Sequence, residues 1–326
     1  DQAEFKITLH SPGSAPSGAA LVTLTGTAQL GTRTISHRAQ ALAAGNLAPR
    51  DPRELLVETM LVASTMPAVT RIRPIETDER TVHRGTVHLA ELAIERLPGF
   101  DGEVLVQMDS RQPVKFRQGL VGPDVVVPSG VNRVFYPCLV PQVAETQDAY
   151  RLLLEAVVQT PDPAGRMRYL VSRMQADDAS VAITVEGALL KISSDHAEIV
   201  TKPGATLRLP IRIARSAKLT GPVHLEVRPP HAHMSDLRAE PFEVTPDQTE
   251  VILPVKLTNR ARTTGKMALT IRALALQSGQ PPALSETARV SPMDPELVSL
   301  LKSGVLPVVA ETTVTLEIAA GRTGGQ

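Results

Sequence analysis

This chain repeats itself at long range, and the repeat limits what it can fold into more than any other feature. The stretch RGTVHLAELAIERLPGFDGEVLVQM begins at Arg84, and PGATLRLPIRIARSAKLTGPVHLEV begins at Pro203. Gly85 falls on Gly204, Arg96 on Arg215 and Gly102 on Gly221, each pair 119 positions apart. Farther on, Pro128 meets Pro246 at an offset of 118, while Pro137 meets Pro254 and Tyr150 meets Met267 at 117. Such a period is too long for a solenoid unit and suits one sandwich of about 100 residues. Two copies of one module in tandem are expected.

What each copy contains follows from period-2 hydrophobicity. Phe5–His10, Ala20–Leu30, Gly85–Arg96, Glu103–Met108 and Thr313–Ile318 alternate apolar and polar residues between Pro, Gly, Asp or Ser. That is the pattern of short antiparallel strands with one buried and one wet face. The 27 prolines in 326 residues exceed the usual share of about 5%. Pro137, Pro210 and Pro254 fall inside strand-like runs and point to edge strands or bulges, because proline has no N–H to give a ladder. Helix is expected only over Asp51–Met60 and over Asp294–Lys302, where Pro295 follows an Asp cap. Strands without alternating helices give an all-β class: tandem antiparallel β-sandwich modules.

The beginning of the chain reads as a third copy cut short. Gly18–Leu30 matches Asp148–Thr160 and Gly265–Gln277, and Phe5 falls on Phe135 at the same offset of 130 as Gly18 on Asp148. Residues 1–48 are therefore expected to be the C-terminal half of a truncated module, with its front half upstream. An isolated hairpin arm is the alternative, disfavoured because such arms are marginal in water. NLAPRDPRE (46–54) reads as a linker. One module is expected at 49–186 and another at 187–319, the latter with a long insertion near 277–311, and 320–326 as a disordered Gly-rich tail. Insertions of that length are usually functional or disordered.

RGTVHLAELAIERLPGFDGEVLVQM followed by VVVPSGVNRVFYPCLVP (125–141) resembles the immunoglobulin-like repeats of large exported planctomycete-type bacterial proteins, often found beside a pre-peptidase C-terminal domain. The resemblance covers almost the whole chain. It implies Ig-like modules in an exported multidomain protein. Its motifs are structural (a turn Gly, a strand Arg, a Pro at a strand edge), so it carries over no catalytic residue.

Candidate chemistry is sparse. Lys+Arg and Asp+Glu balance at 34 each, which leaves no net pull toward nucleic acid or anionic lipid. No apolar run approaches the roughly 18 residues of a membrane span. Cys138 is the single cysteine; it sits in a strand-like apolar run and reads as an inert buried thiol. His231 and His233, with His224 upstream, form the one His cluster. An i, i+2 pair on a strand presents both imidazoles on one face, as a zinc or copper site could use, but Asp236 and Glu240 complete no recognisable ligand spacing. His83 and His88 are expected to be solvated at a strand mouth. Asp101 and Glu103 lie in PGFDGE, read as a hairpin with Asp101-Gly102 as its turn pair rather than a calcium loop. Asp177-Asp178 likewise reads as a turn. Arg71, Arg73, Glu76 and Arg80 make a mixed polar face that guards a strand edge. Neither a nucleophile elbow nor a phosphate-cradling glycine loop occurs. With no Trp and three tyrosines, Tyr136, Tyr150 and Tyr169, stacking of sugars is disfavoured; Tyr150 is expected to be packing.

The sequence thus assigns no catalytic, cofactor-binding or metal residue. The expected function is a non-catalytic structural or interaction region (spacer, adhesive or scaffold) of an exported multidomain protein at an extracellular, periplasmic or cell-surface location. Its partners would be a protein or cell-surface partner and other domains of the precursor, not nucleic acid or membrane. The alternative is an accessory region of a larger secreted hydrolase.

Overall fold

The computed structural model describes residues 17–39, 41–42, 56–57, 59–76, 78–109, 119–146, 150–174, 181–261, 265–277, 283–284, 289–291 and 293–319. The chain forms two compact units, residues 1–68 with 159–170 and residues 69–158 with 171–326.

The first unit holds β1 (Gly18–Val22), β2 (Thr25–Leu30), β3 (Arg33–Arg38), β4 (Ala41–Leu42), β5 (Leu56–Val57) and β6 (Met60–Ser64). β1 pairs with β6, β2 with β3 and β4 with β5, all antiparallel. The alternating run Ala20–Leu30 is broken at Thr23 and Leu24 into two strands with different partners. The helix expected over Asp51–Met60 is corrected at Leu56–Val57 and Met60, which are strand. Cross-strand pairing with Val22 and its neighbours outweighs a weak local helix preference there. Residues 51–55, Phe5–His10 and the 46–54 linker lie outside the described residues.

The second unit contains, in order, β7 (Thr70–Pro74), β8 (Arg80–His83), β9 (Val87–Arg96), β10 (Val104–Met108), β11 (Asp124–Val127), β12 (Arg133–Leu139), β13 (Tyr150–Leu152), β14 (Leu154–Pro161) and β15 (Met167–Arg173) except their residues 159–170, and β16 (Val181–Glu186). It continues with β17 (Leu190–Ser194), β18 (Glu198–Thr201), β19 (Thr206–Arg215), β20 (Val223–Arg228), β21 (Leu237–Arg238), β22 (Phe242–Val244), β23 (Glu250–Leu257), β24 (Lys266–Gln277), β25 (Arg289–Ser291), α1 (Pro295–Lys302) and β26 (Leu306–Ile318).

The same sandwich is built twice. In the earlier copy one layer is β7-β9-β12, and the other runs through β8-β16-β13 and β15-β14-β10-β11. In the later copy the layers are β17-β19-β23-β21 and β18-β26-β24-β20-β22. Even the register is kept. Pro137 opposes Leu89 and Pro254 opposes Arg208; Leu105 opposes Val157 and His224 opposes Leu274. A one-residue slip would turn every inward side chain outward, so register is held wherever one face is buried. Inward residues of the later copy, among them Leu209, Ile211, Leu253, Leu269 and Leu316, form one core.

The repeated polar anchors have a common task. The segment Leu97–Glu103 is not the hairpin expected from Asp101-Gly102, because β9 and β10 lie in different layers. It is an arch that crosses the sandwich, and its carbonyls face away from any ladder. Arg96 satisfies one of them, donating to Gly102 O at 3.1 Å, and ties the arch to the β11–β12 turn by donating to Val131 O at 2.6 Å and Pro128 O at 2.6 Å. Arg215 does the same in the later arch, donating to Gly221 O at 3.1 Å and Thr245 O at 3.0 Å. Matching Arg and Gly therefore recur for one backbone reason.

Prolines sit where no ladder partner waits. Pro137 is on β12, an edge strand. Pro210 and Pro254 are on interior strands instead, which corrects the edge reading. Beside Pro210 the β17 ladder has already ended at Ile211, and β21 reaches β23 only at Lys256 and Leu257. The helix expected at Asp294–Lys302 is present as α1, with Asp294 Oδ1 accepting from Glu296 N at 3.0 Å.

Tyr150 begins β13 fully within the core, and its hydroxyl donates to Glu145 O at 2.7 Å. This is the tyrosine corner of immunoglobulin-type sandwiches, which pins a loop onto the strand that follows it. Removing the hydroxyl in Tyr150→Phe is expected to lower unfolding free energy by about 1 kcal/mol with unchanged circular dichroism, measured by urea denaturation.

Candidate functional site

The most elaborate polar arrangement lies where the two sandwiches meet. Gly85, in the turn between β8 and β9, has φ +77°. Its N–H donates to Val140 O at 2.7 Å and its carbonyl accepts from Val309 N at 2.7 Å, so one residue bridges both copies. A Cβ here would come within 2.3 Å of Val309 O. Gln142 ties the same point from its other side. Its Nε2 donates to Leu190 O at 3.0 Å and Val309 O at 3.3 Å, and its Oε1 accepts from Glu311 N at 3.2 Å. His83 Nδ1 lies 3.1 Å from Gly187 O, and its Nε2 lies 3.4 Å from Lys218 Nζ in the later copy.

The insertion after Gln277 extends this junction. β25 adds antiparallel to β11, pairing Val290 with Val125, so a segment of the later copy completes a sheet of the earlier one. Arg289 reinforces the addition through Glu103 at 2.6 Å. Leu284 and Leu301 of the insertion pack with Val87 and Leu89 of β9. At its other end α1 covers the outward face of β24, where Arg272 is 2% exposed. Arg272 Nη1 donates to Glu296 Oε2 at 2.8 Å and lies 3.3 Å from Asp294 Oδ2 and 3.6 Å from Glu226 Oε2. Arg228 Nη1 donates to Asp294 Oδ2 at 2.8 Å. Burial pushes the Asp294 carboxyl up, but its bonds to Arg228 and Glu296 N and the charge of Arg272 hold it below the usual range. A guanidinium in this setting must be paired, since an uncompensated buried charge is costly.

Residues singled out in the sequence are placed as follows. Cys138 is 1% exposed on β12, and burial pushes its thiol pKa far up, away from nucleophilic chemistry. His231 and His233 occupy a short 3-10 turn rather than a strand. With three residues per turn, i and i+2 point apart, so the one-face pair does not form. His233 Nδ1 instead meets buried Asp236 Oδ2 at 2.9 Å, and His224 faces Glu243 at 3.8 Å. Glu240 is exposed. Among the described residues no cluster of three or more His, Cys, Asp or Glu side chains could hold a metal ion. Asp101 accepts from Gly130 N at 3.3 Å, while Glu103 is engaged by Arg289; Asp177 and Asp178 lie outside the described residues. The mixed polar face appears as Arg71–Glu95 at 3.5 Å and Arg80–Glu76 at 3.1 Å. Tyr136 is buried, and Tyr169 is 73% exposed.

His83 and His88 depart from the expected solvated pair. The His83 side chain is 16% exposed, and His88 Nε2 is buried without a hydrogen-bond partner. Pairing of β9 with β12 sets His88 opposite Cys138, one pair from the end of the ladder, so it lies at the strand mouth as expected but not solvated. Burial lowers the imidazole pKa, with Glu76 pulling the other way and Arg80 adding to the lowering.

Sequence reading missed Gln142, Glu155 and Arg272. The last two stand as lone charges inside apolar strand runs, a detectable signal; Gln142 carries none.

No family model and no curated protein matches the chain. Among solved structures it is similar to the fibronectin(III)-like modules of Clostridium thermocellum CbhA, at 10% identity over 79% of this chain and 97% of that one, TM-score 0.22. It is also similar to the I9-I11 tandem of titin (12%, 76% and 66%, TM-score 0.20) and to domains 4 and 5 of the S-layer protein SbsC (10%, 78% and 98%, TM-score 0.21). At such TM-scores none of these bears on function, and the all-β sandwich class rests on strand order and register. No helix among the described residues is long and apolar enough to cross a membrane.

Two outcomes are expected here. Gly85→Ala and Gly204→Ala both force a side chain into a left-handed backbone, a cost of about 1–2 kcal/mol. Gly85→Ala is expected to lose more, because it strikes a backbone carbonyl whereas Gly204 faces the movable Asn259 side chain; paired thermal melts compare them. His88, neutral in the fold, binds a proton more readily once unfolded. Its contribution is therefore intact above the ordinary histidine pKa and is lost as pH falls below it. Melts from pH 7 to pH 5 are expected to show a smaller acid-induced loss in His88→Phe than in wild type.

Proposed function

We infer that this chain is a non-catalytic structural and interaction region, in which two immunoglobulin-like sandwiches are locked at a fixed spacing. The observation that carries this reading is the crossing of the insertion, whose β25 completes the neighbouring copy's sheet through β11. A connection made of backbone pairing and a small apolar cluster resists relative motion far better than a bare linker. The bridging of Gly85 and Gln142 supports the same reading. A scaffold or spacer needs such stiffness, and it needs no reactive group. In keeping with the resemblance of its repeats, the region would belong to an exported multidomain protein, at an extracellular, periplasmic or cell-surface location. Its partners would be proteins or cell-surface components met by loops and strand edges.

The test is a distance measurement. Spin labels at Glu95→Cys and Glu250→Cys, one on each sandwich, are expected to give a single narrow distribution. Replacing residues 283–303 by a short Gly-Ser linker is expected to broaden it and to split one melting transition into two. A broad distribution in the intact chain would end the fixed-spacing reading.

A further inference from the structure

Tandem copies with one register face a folding hazard, because a strand from one copy can enter the place of its twin. Beyond Tyr150, which stands against Met267, the inward faces of β13–β14 and β24 hardly distinguish the two. Leu152 corresponds to Leu269, Leu154 to Ile271, Ala156 to Ala273 and Val158 to Ala275, and all eight are buried. Both strands also lie beside the matching strand, β10 or β20, at the same offset. Apolar patterning alone gives little preference for the native assignment, and wrongly assembled modules are a characteristic failure of repeat proteins.

The outward faces differ in charge sign at one buried place. Glu155 opposes Gln107 in the earlier copy, and Arg272 opposes Glu226 at the equivalent position of the later one. Both are buried, at 3% and 2% exposure. Glu155 accepts from Gln107 Nε2 at 2.7 Å and pairs with Arg173 Nε at 3.2 Å. Arg272 is surrounded by Glu226, Asp294 and Glu296. Exchanging the strands would set Glu155 among those three carboxylates, which Arg228, alone among the described residues, offsets, and Arg272 beside Arg173, which already pairs with Asp109. Each exchange adds a like charge to its site, whereas each native placement adds an opposite one.

We propose that the opposite charges of Glu155 and Arg272 are an assignment device, which directs β14 and β24 each to its own sandwich during folding. Their role is selection between two nearly equivalent pairings, and it reaches beyond the spacer reading because it concerns how the chain assembles.

The experiment traps the exchanged pairing directly. With Cys138→Ser as background, Val157→Cys and His224→Cys place thiols that oppose each other only if β14 pairs with β20; natively they face Leu105 and Leu274. The chain is unfolded in denaturant and refolded by dilution in an oxidising buffer, and the 157–224 disulfide is quantified by peptide mapping. Neutralising both charges in Glu155→Gln/Arg272→Gln is expected to raise that disulfide at least about threefold, by analogy with the tenfold change that 1.4 kcal/mol confers. The charge-keeping pair Glu155→Asp/Arg272→Lys is expected to stay at the wild-type level. Equal cross-linking in all three chains would overturn the proposal. So would a fall in native yield in the neutral variant without added 157–224 disulfide, since the charges would then serve stability alone. The disulfide is read whether or not a variant reaches its native state.

Discussion

One constraint underlies the larger unit: two layers must bury alternate residues of every strand at a single register. The opposition of Leu89 to Pro137 fixes that register in one copy, and that of Arg208 to Pro254 in the other. From it follow which residues enter the core, where the layers cross, and which backbone groups are left for side chains to satisfy. Arg96 and Arg215 are consequences of this arrangement. Once β9 and β10 are assigned to opposite layers, Gly102 O in the arch between them has no ladder partner, and a guanidinium with its fan of donors answers it together with two carbonyls of the β11–β12 turn.

Two such sandwiches joined end to end would ordinarily move independently. Here their meeting point is unusually rich in main-chain bonds, with Gly85 donating to one copy and accepting from the other. Absence of a Cβ at Gly85 is what allows Val309 to approach so closely. The insertion then fastens the pair a second time, by sheet addition at β11, by Arg289 on Glu103, and by Leu284 and Leu301 on Val87 and Leu89. The buried ion cluster is a poor candidate for net stabilisation, because desolvation consumes most of the Coulomb gain. Its value is geometric: α1 has one place to put Asp294 and Glu296.

Much of this was legible from the sequence, for identifiable reasons. Long-range repetition and period-2 alternation report register and burial, which are properties of every residue in a strand, so the all-β sandwich reading survives contact with the structure. Asp294 and Pro295 announced α1 because capping chemistry is local. What failed depended on partners distant in sequence. Asp101-Gly102 resembles a hairpin turn until the layers of β9 and β10 are known, and an arch and a hairpin share the same turn residues. Leu56, Val57 and Met60 became strand through pairing that no local propensity contains. The His231–His233 spacing implies a shared face only if the segment is a strand, and the prolines at 229 and 230 start a 3-10 turn instead. Gln142 was invisible because its three bonds go to backbone atoms 48 to 169 positions away.

A duplicated fold gains its individuality where duplication is broken. Along β14 and its counterpart in β24 the inward residues could serve either copy, since they differ by little more than a methyl group or two. Distinction between the copies therefore has to be written on outward positions and in unshared segments. Glu155 against Arg272, the insertion present in one copy alone, and Glu103 left available for Arg289 are all of that kind. The insertion and Glu103 are also where the copies touch one another. The asymmetric features are thus the ones that turn two equivalent modules into one ordered object, and selection on spacing or surface would act through them rather than through the shared core.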